Sequence, residues 1–347
     1  MARVAVVTSH PLFAAGGHLV IAEGLSKALR EAGHQATVVR TPQNRFGRQA
    51  GAYLSTWLTD VGVGYDGSSI DHVVSFRFPS YAVRHPSHVC WLNHRMREYY
   101  DQWPRFSETL SWRGQAKERV RRKVIHQVDR WLLTRNVSRL FAQSVTIQQR
   151  LQRWGCIPSE LLYPPAPPRP YRCDGYGEYL FVASRLSPLK RVGLVIEALA
   201  QPAAEGIRCV IAGDGEERGR LRERVDSLGL TNRVQFVGSV DEGELIDHLA
   251  RCRAVCYTPK AEDYGLFTME AFASGKAVIT CSDSGGPVEL VRTGREGIVV
   301  DPEPQLLAET FREVMEDGKL AERLGSAAQE RAREYTWEKT IRRLLAV

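Results

Sequence analysis

Residues 179–213 read YLFVASRLSPLKRVGLVIEALAQPAAEGIRCVIAG, and they set the architecture of the surrounding sequence. The apolar run at 179–183 leads through a polar loop to an apolar pattern with helical spacing at 192–200, and a second apolar run follows at 208–212. A strand, a helix and a strand in this order form a βαβ unit, whose two strands lie parallel in one sheet. We therefore predict an α/β domain with a parallel sheet.

The same alternation continues on both sides of this stretch. Downstream we predict further strands and helices, at 216–228, 234–237, 242–250, 254–258, 266–274, 277–280, 297–300, 303–316 and 319–333. Upstream we predict a first strand, a helix that ends at Gly33 and further strands, at 3–8, 19–33, 36–39, 72–76, 88–92 and 140–142, with a long helix near 113–134. The chain thus contains two successive α/β series.

A proline-rich stretch separates the two series. Residues 163–170 read YPPAPPRP, and five prolines fall within 164–170. Proline cannot continue a helix or a central strand, so the stretch is either a semi-rigid linker or a surface loop inside one domain. We favour the linker because the second series begins directly after it. The predicted domains are 1–163 and 172–333, joined by a linker at 164–171.

Composition and charge limit the class of protein. Of the 347 residues, 43% are hydrophobic and 25% are charged, which is ordinary for a globular protein and excludes disordered, collagen-like and coiled-coil chains. Residues 1–170 hold 23 basic and 11 acidic residues, whereas residues 171–347 hold 24 basic and 29 acidic ones. The halves therefore carry about +12 and −5 charges.

Much of the positive charge lies at 113–139, where nine basic residues face two acidic ones. This positive charge makes a nucleic-acid-binding protein one alternative, but no sequence motif for binding nucleic acid accompanies it. Five apolar residues fall on one face of the helix and mark it as amphipathic: Val120, Val124, Val128, Trp131 and Leu132. That face is expected to pack in the core or to touch an anionic membrane surface. We expect no nucleic-acid partner.

The remaining features concern compartment. The first apolar run is too short for a signal peptide, and no run of 18 apolar residues occurs. The seven cysteines are scattered and odd in number, which disfavours a complete disulfide framework. We expect a cytoplasmic protein, with a peripheral contact at the inner face of the membrane as an option.

Several residues that could bind an anion or a sugar follow predicted strands. Arg185 and Lys190 lie five apart in the loop after 179–183, where both can reach one multiply charged anion. Glu262 lies in the loop after 254–258, and Glu270 lies in the helix that follows. Carboxylates accept hydrogen bonds from sugar hydroxyls, whereas the first amides of a helix favour phosphate.

Two weaker signals lie in the first half. Gly16 and Gly17 occupy the first strand-to-helix turn, where glycine lets the backbone approach a ligand. His94 follows the strand at 88–92 and precedes Arg97 and Tyr100. No Asp-x-Asp metal motif, no Walker pattern and no dinucleotide fingerprint occur, so we expect neither a metal ion nor a bound cofactor.

Together these residues resemble the retaining glycosyltransferases of family 4, which have the GT-B fold. The stretch PKAEDYGLFTME at 259–270 is similar to the family's Glu-x₇-Glu element, with Tyr264 in place of a phenylalanine. Residues 184–190, SRLSPLK, are similar to its Gly-Arg-Leu…Lys segment, with Ser184 in place of glycine. The resemblance implies an α/β fold with two Rossmann-like domains that face each other across a cleft. It also implies that a terminal helix at 334–347 returns to the first domain.

The resemblance implies a role for each matching residue. Arg185 and Lys190 would hold the donor diphosphate, Glu262 the transferred sugar, and His94 would act beside the anomeric carbon. The donor-binding set is Gly16, Gly17, Ser184, Arg185, Lys190, Gly213, Gly238, Val240, Glu262, Tyr264, Gly265, Leu266, Phe267 and Glu270, with Glu270 on the ribose hydroxyls. Arg97 and Tyr100 would bind the acceptor.

The implied reaction transfers a sugar, with retention, from a UDP- or GDP-sugar to an acceptor hydroxyl on a glycan, a glycolipid or a small molecule. The departing phosphate oxygen could take the acceptor's proton, so no side-chain nucleophile is assigned. The alternatives within this fold are a nucleotide-sugar epimerase and a sugar phosphorylase. A phosphorylase would need a pyridoxal phosphate lysine and a longer chain.

Overall fold

The computed structural model describes residues 1–10, 16–42 and 47–346. They form two compact units: residues 1–168 with 336–347, and residues 169–335. The boundary between residues 168 and 169 falls within the proline-rich stretch.

The first unit is built on a parallel sheet of six strands. Its strands are β1 (Arg3–His10), β2 (Gln35–Pro42), β3 (His72–Ser75), β4 (His88–Leu92), β5 (Arg139–Ala142) and β6 (Glu160–Leu161). Their order across the sheet is β2-β1-β3-β4-β5-β6. The helices are α1 (Gly17–Glu31), α2 (Gln49–Trp57), α3 (Trp103–Glu108), α4 (Trp112–Trp131) and α5 (Val145–Arg153).

The second unit repeats this plan. Its strands are β7 (Tyr179–Ala183), β8 (Arg208–Ala212), β9 (Val234–Gly238), β10 (Ala254–Cys256), β11 (Val278–Cys281) and β12 (Gly297–Val300). Their order is β12-β11-β10-β7-β8-β9, again all parallel. The helices are α6 (Val192–Leu199), α7 (Arg218–Ser227), α8 (Glu242–Arg251), α9 (Leu266–Ala273), α10 (Gly286–Leu290), α11 (Pro304–Glu316) and α12 (Gly318–Arg333). The predicted α/β class with two Rossmann-like parallel sheets is confirmed.

The last helix, α13 (Trp337–Leu345), packs within the first unit although it ends the chain. The indole Nε1 of Trp337 donates to the carbonyl oxygen of Ala166 at 2.9 Å, and its ring meets Trp91 edge-on at 6.3 Å. Gly24 leaves room for that indole, because a Cβ at Gly24 would lie 3.1 Å from it. The guanidinium of Arg343 adds an ion pair to Glu160 at 2.6 Å.

The apolar face of helix α4 was expected either to pack in the core or to touch a membrane surface, and packing in the core is wrong for three of its residues. Val120 is 65% exposed, Val124 52% and Trp131 51%. The two carboxylates of the helix point inward instead. The Tyr99 hydroxyl donates to Glu118 at 2.7 Å, and Tyr81 and Tyr100 donate to the buried Asp129 at 2.6 and 2.7 Å. Hydrogen-bond partners on the neighbouring elements, rather than apolar spacing, thus set which face is buried.

Candidate active site

The candidate donor site lies at the carboxyl edge of the second sheet, where loops from neighbouring strands are joined by backbone hydrogen bonds. The amide of Lys260 donates to the carbonyl oxygen of Leu189 at 2.8 Å, linking the loops after β10 and β7. The amide of Glu262 donates to Ser284 at 2.8 Å and links the loop after β11. The carboxyl edge of a parallel sheet is where such folds bind ligands.

The side chain of Arg191 joins the loops after β10 and β11. Its guanidinium pairs with both carboxylate oxygens of Asp283, at 2.8 and 2.6 Å, and donates to the carbonyl oxygens of Thr258 and Pro259. Its backbone has φ +50°, so the loop turns sharply before α6 begins. The sequence analysis gave Arg191 no role, although a bidentate partner is the geometry that arginine favours.

Lys190 and Glu262 form an ion pair in this site, and their predicted roles in donor binding stay predictions. The Lys190 ammonium donates to Glu262 Oε2 at 2.7 Å and to the Tyr257 hydroxyl at 3.0 Å. Burial alone would lower the pKa of Lys190, but the Glu262 carboxylate outweighs burial and raises that pKa above its ordinary value. The lysine therefore keeps its charge at neutral pH and can meet a phosphate.

Two other members of the loop after β7 have different surroundings. Arg185 is exposed at the surface of this loop. The hydroxyl of Ser184 is buried without a hydrogen-bond partner among the described residues, and so is that of Thr268 in the first turn of α9. Buried polar groups are normally paired, so these hydroxyls are candidates for ligand contacts.

The glycine pattern explains how the loops approach one another. Gly213 has φ +125°, and a Cβ there would lie 1.9 Å from the carbonyl oxygen of Ser184. Its amide donates to the Gly238 carbonyl oxygen at 2.6 Å. The absence of a side chain at Gly213 therefore lets the loop of Ser184 pack directly against the backbone of Gly213. Gly238 and the half-buried Val240 lie at the carboxyl end of β9.

Helix α9 begins at the predicted position. Gly265 precedes it with φ +81°, and Leu266 is its first residue. The side chains of Tyr264 and Phe267 are 2% and 8% exposed, and the Phe267 ring packs on Tyr257 at 5.6 Å. These two rings belong to the core, so the groups of this turn that can meet an anion are its backbone amides and the Thr268 hydroxyl.

Glu270 lies on the buried side of α9, with only 7% of its surface exposed. Its Oε1 accepts from the Arg169 guanidinium at 2.5 Å and from the Tyr171 hydroxyl at 3.1 Å. Burial raises the pKa of Glu270, and the positive charge of Arg169 opposes that rise. Sequence reasoning missed Arg169 and Tyr171, because about one hundred residues separate them from Glu270.

The first unit holds a separate small pocket at the carboxyl end of β4, with a cavity volume of about 20 Å³. His94 and Arg97 border it, together with Leu92, Asn93, Arg95, Tyr100, Asp101, Ile147, Arg150 and Leu151. The His94 Nδ1–H donates to the Arg95 carbonyl oxygen at 2.7 Å, which in a neutral ring leaves Nε2 as an acceptor. Arg97 pairs with Asp101 at 2.5 Å, and Arg150 approaches the same oxygen at 3.4 Å.

Tyr100 borders this pocket, but its hydroxyl is occupied. It donates to Asp129 at 2.7 Å, while the ring stacks on His126 at 4.2 Å with the Arg95 guanidinium 3.8 Å from its centre. The ring of Tyr100 is thus occupied as well as its hydroxyl, and its role in acceptor binding stays a prediction. The pocket combines three arginines with one carboxylate, so its charge is positive.

Gly16 and Gly17 lie where α1 begins, at the carboxyl end of β1. Gly16 precedes the helix in an extended conformation and accepts hydrogen bonds from Leu19 and Val20. Beside them the Arg77 guanidinium lies 3.1 Å from the His18 ring. Burial, with a contribution from Arg77, lowers the pKa of His18 to about 3, so the ring is neutral and Arg77 supplies the positive charge. The sequence analysis gave neither residue a role.

Across residues 1–10, 16–42 and 47–346, no group of three His, Cys, Asp or Glu side chains is placed to hold a metal ion. Within the same ranges no helix has both the length and the apolar character needed to cross a bilayer.

The second unit is similar to a known protein family. Residues 171–331 match the family model described as glycosyl transferases group 1. The match covers a little less than half of the chain and lies within the second unit. The resemblance predicted from the Glu-x₇-Glu and Arg…Lys elements is thereby confirmed.

The relatives extend this finding. The D-inositol 3-phosphate glycosyltransferase of Jonesia denitrificans is 32% identical over 181 residues, which cover 49% of this chain and 42% of that protein. The chain thus aligns with about two fifths of the length of this relative. Two solved structures share the fold: HepE of Anabaena, in complex with UDP and glucose (TM-score 0.72, 20% identity, 100% of both chains), and sucrose-phosphate synthase of Thermosynechococcus elongatus (TM-score 0.75, 17% identity, 99% of both chains).

Proposed function

We propose that this protein is a retaining glycosyltransferase that moves a sugar from a UDP- or GDP-sugar to an acceptor hydroxyl without a metal ion. The observation that carries the proposal is the cluster at the carboxyl edge of the second sheet. There the ammonium of Lys190 meets Glu262 beside the first turn of α9, and Glu270 lies one helical turn further along.

The cluster contains the groups that a sugar diphosphate needs. Lys190, Arg185 and the first amides of α9 would balance the charge that develops on the leaving diphosphate. Glu262 would accept hydrogen bonds from the transferred sugar, and Glu270 from the ribose. In the first unit, His94 Nε2 would face the sugar near its anomeric carbon, and Gly16 and Gly17 would approach the diphosphate.

On this proposal the first unit binds the acceptor and the second binds the donor. The pocket beside Arg97, with three guanidiniums and one carboxylate, favours an acceptor that carries a phosphate or carboxylate group. Acceptors of this kind occur among glycans, glycolipids and phosphorylated small molecules. Because the matched stretch covers less than half of the named relative, the acceptor has to be established on this chain itself.

Mass spectrometry of the full chain with sugar donors tests the proposal. HepE has been crystallised with UDP-glucose, so UDP-sugars come first and GDP-sugars second. We expect acceptor-dependent release of the nucleoside diphosphate, an unchanged rate in EDTA, and a product with the anomeric configuration of the donor. Conversion of the donor without any acceptor would favour an epimerase, and strict dependence on a divalent ion would contradict the metal-free mechanism.

We further propose that the protein works on the cytoplasmic side of an anionic membrane and touches it through α4. The exposed face of α4 carries Trp112 (74% exposed), Val120, Val124 and Trp131. Basic residues surround these side chains, at Arg113, Lys117, Lys123 and Arg130. Because Glu118 and Asp129 are buried, the face has no acidic residue to repel anionic lipid.

Co-sedimentation with liposomes tests this contact. The protein should bind vesicles of phosphatidylglycerol and not vesicles of phosphatidylcholine, and salt should weaken the binding. Lys117→Glu with Lys123→Glu should abolish it, whereas Lys319→Glu on the second unit should leave it unchanged. Equal binding to both kinds of vesicle, or no binding at all, would refute the contact.

A further inference from the structure

Arg169 stands at the start of the second unit and reaches two carboxylates at once. Its Nη1 donates to Glu270 Oε1 at 2.5 Å, and its Nε pairs with Glu242 Oε2 at 2.8 Å. The side chain of Arg169 is 15% exposed and that of Glu270 is 9% exposed, whereas that of Glu242 is 56% exposed. The ion pair with Glu270 is therefore shielded from solvent and strong, whereas the ion pair with Glu242 is exposed to solvent and weak.

Burial disfavours the charged form of Glu270, and the positive charge of Arg169 favours it. A carboxylate that has lost its water is disfavoured in the charged form, and a protonated carboxyl group can accept fewer hydrogen bonds from hydroxyl groups. Among the residues that the structure describes, the charged or titratable side chains that act on it most are Arg169, the Tyr171 hydroxyl at 3.1 Å and, beyond Arg169, Glu242. Of these three, Arg169 carries the positive charge, since Tyr171 is neutral and Glu242 is negative.

We propose that Arg169 is a positioning residue, which keeps Glu270 ionised and fixes its Oε1 so that the carboxylate can receive the ribose hydroxyls of the donor. This inference rests on the proposed function, because it takes Glu270 as the ribose ligand. It adds a residue outside the Glu-x₇-Glu element and assigns the end of the proline-rich stretch a part in donor binding. Tyr171 donates a second hydrogen bond to the same oxygen and limits its rotation.

The pH dependence of nucleotide binding separates this role from a merely structural one. Calorimetry with UDP and with GDP, from pH 6 to pH 9, is carried out on the full chain and its variants. Each affinity is expressed relative to the wild type at the same pH, because the terminal phosphate of the nucleotide itself titrates near pH 6. For Arg169→Leu this relative affinity should be lower at pH 6 than at pH 9, because burial without the guanidinium raises the pKa of Glu270 further and favours its protonated form at the lower pH. Arg169→Lys should restore the flat profile.

Two controls complete the test. Arg172→Leu removes a nearby arginine that pairs with Asp174 and Asp247 instead, and it should keep the wild-type profile. Adding Glu270→Gln to Arg169→Leu should remove the pH dependence, because the titrating group is gone. Circular dichroism checks that each variant is folded.

The outcomes distinguish the two proposals. A flat profile for folded Arg169→Leu, with wild-type affinity, would overturn the role of Arg169 and leave the proposed function intact. A pH-dependent profile that persists in the double variant would also overturn it, since another group would then be titrating. A wild type that binds neither UDP nor GDP would overturn the proposed function itself.

Discussion

Replacing Lys190 by methionine removes the charge at the centre of the donor site and keeps most of the side-chain volume. In the native protein the ammonium lies 2.7 Å from Glu262 and 3.0 Å from the Tyr257 hydroxyl. The side chains of Lys190 and Glu262 are only 21% and 22% exposed. The variant would leave a carboxylate in a largely desolvated position without its cation.

The magnitude lies between two limits. Breaking a fully buried ion pair from one side costs about 3–5 kcal/mol, whereas an exposed pair contributes up to about 1 kcal/mol. With about one fifth of each side chain exposed, we expect Lys190→Met to reduce the free energy of unfolding by about 2–4 kcal/mol. For a unit of this size, each kcal/mol lowers the melting temperature by about 2–4 °C.

A double-mutant cycle separates stability from function. Adding Glu262→Gln removes the uncompensated charge, so the double variant should recover at least half of the lost stability. Donor turnover should be lost in both variants, because Arg185 alone then remains to balance the charge that develops on the leaving diphosphate. Lys260→Met replaces an exposed lysine in the neighbouring loop and should change neither property.

Urea unfolding and turnover of the donor sugar give the two readouts. Stability within 0.5 kcal/mol of the wild type, on the order of an exposed pair, would show that Lys190 and Glu262 are not coupled. If the double variant is no more stable than Lys190→Met, the unpaired Glu262 carboxylate is not what destabilises the single variant. Full turnover by Lys190→Met would refute the assignment of the donor site.

Other perturbations test the surrounding structure. Gly213→Ala should cost at least about 2 kcal/mol and weaken nucleotide binding, because its Cβ would lie 1.9 Å from the Ser184 carbonyl oxygen; melting curves and calorimetry measure both. Burial lowers the pKa of His18 to about 3 in the folded state, whereas the unfolded state binds a proton below about pH 6.5. The free energy of unfolding therefore decreases as the pH falls from about 6.5 towards 3. Between pH 7 and pH 5, urea unfolding should show a loss about 2 kcal/mol larger for the wild type than for His18→Gln, and equal losses would refute the assignment. Trp337→Ala should destabilise the first unit by about 2–4 kcal/mol and expose α13 to proteolysis, whereas unchanged protection would show that this helix is held by other contacts.

The sequence was sufficient for the elements with strong periodicity. The strands β7, β8 and β12 occupy the residues predicted for them, and α9 begins at Leu266 as expected. The elements that sequence reasoning missed are short or irregular: α2, α3, α5, α10 and β6. Helix α2 contains glycine, serine and threonine, and β6 has two residues, so neither gives a periodic signal.

Local order also accounts for which side-chain types follow each strand, and this is why Arg185, Lys190, Glu262 and Glu270 could be named before the structure. Which side chains pair was decided by tertiary structure. The contact between Arg169 and Glu270 joins residues 101 positions apart, and Arg191 reaches Asp283 across 92. On α4, the spacing of Val120 and Val124 predicted an amphipathic helix but left open whether its apolar face is buried, and the structure instead buries Glu118 and Asp129 against tyrosine hydroxyls of neighbouring elements. Periodicity records which residues share a face, whereas the partners available across the fold determine which face is buried and which charges are paired.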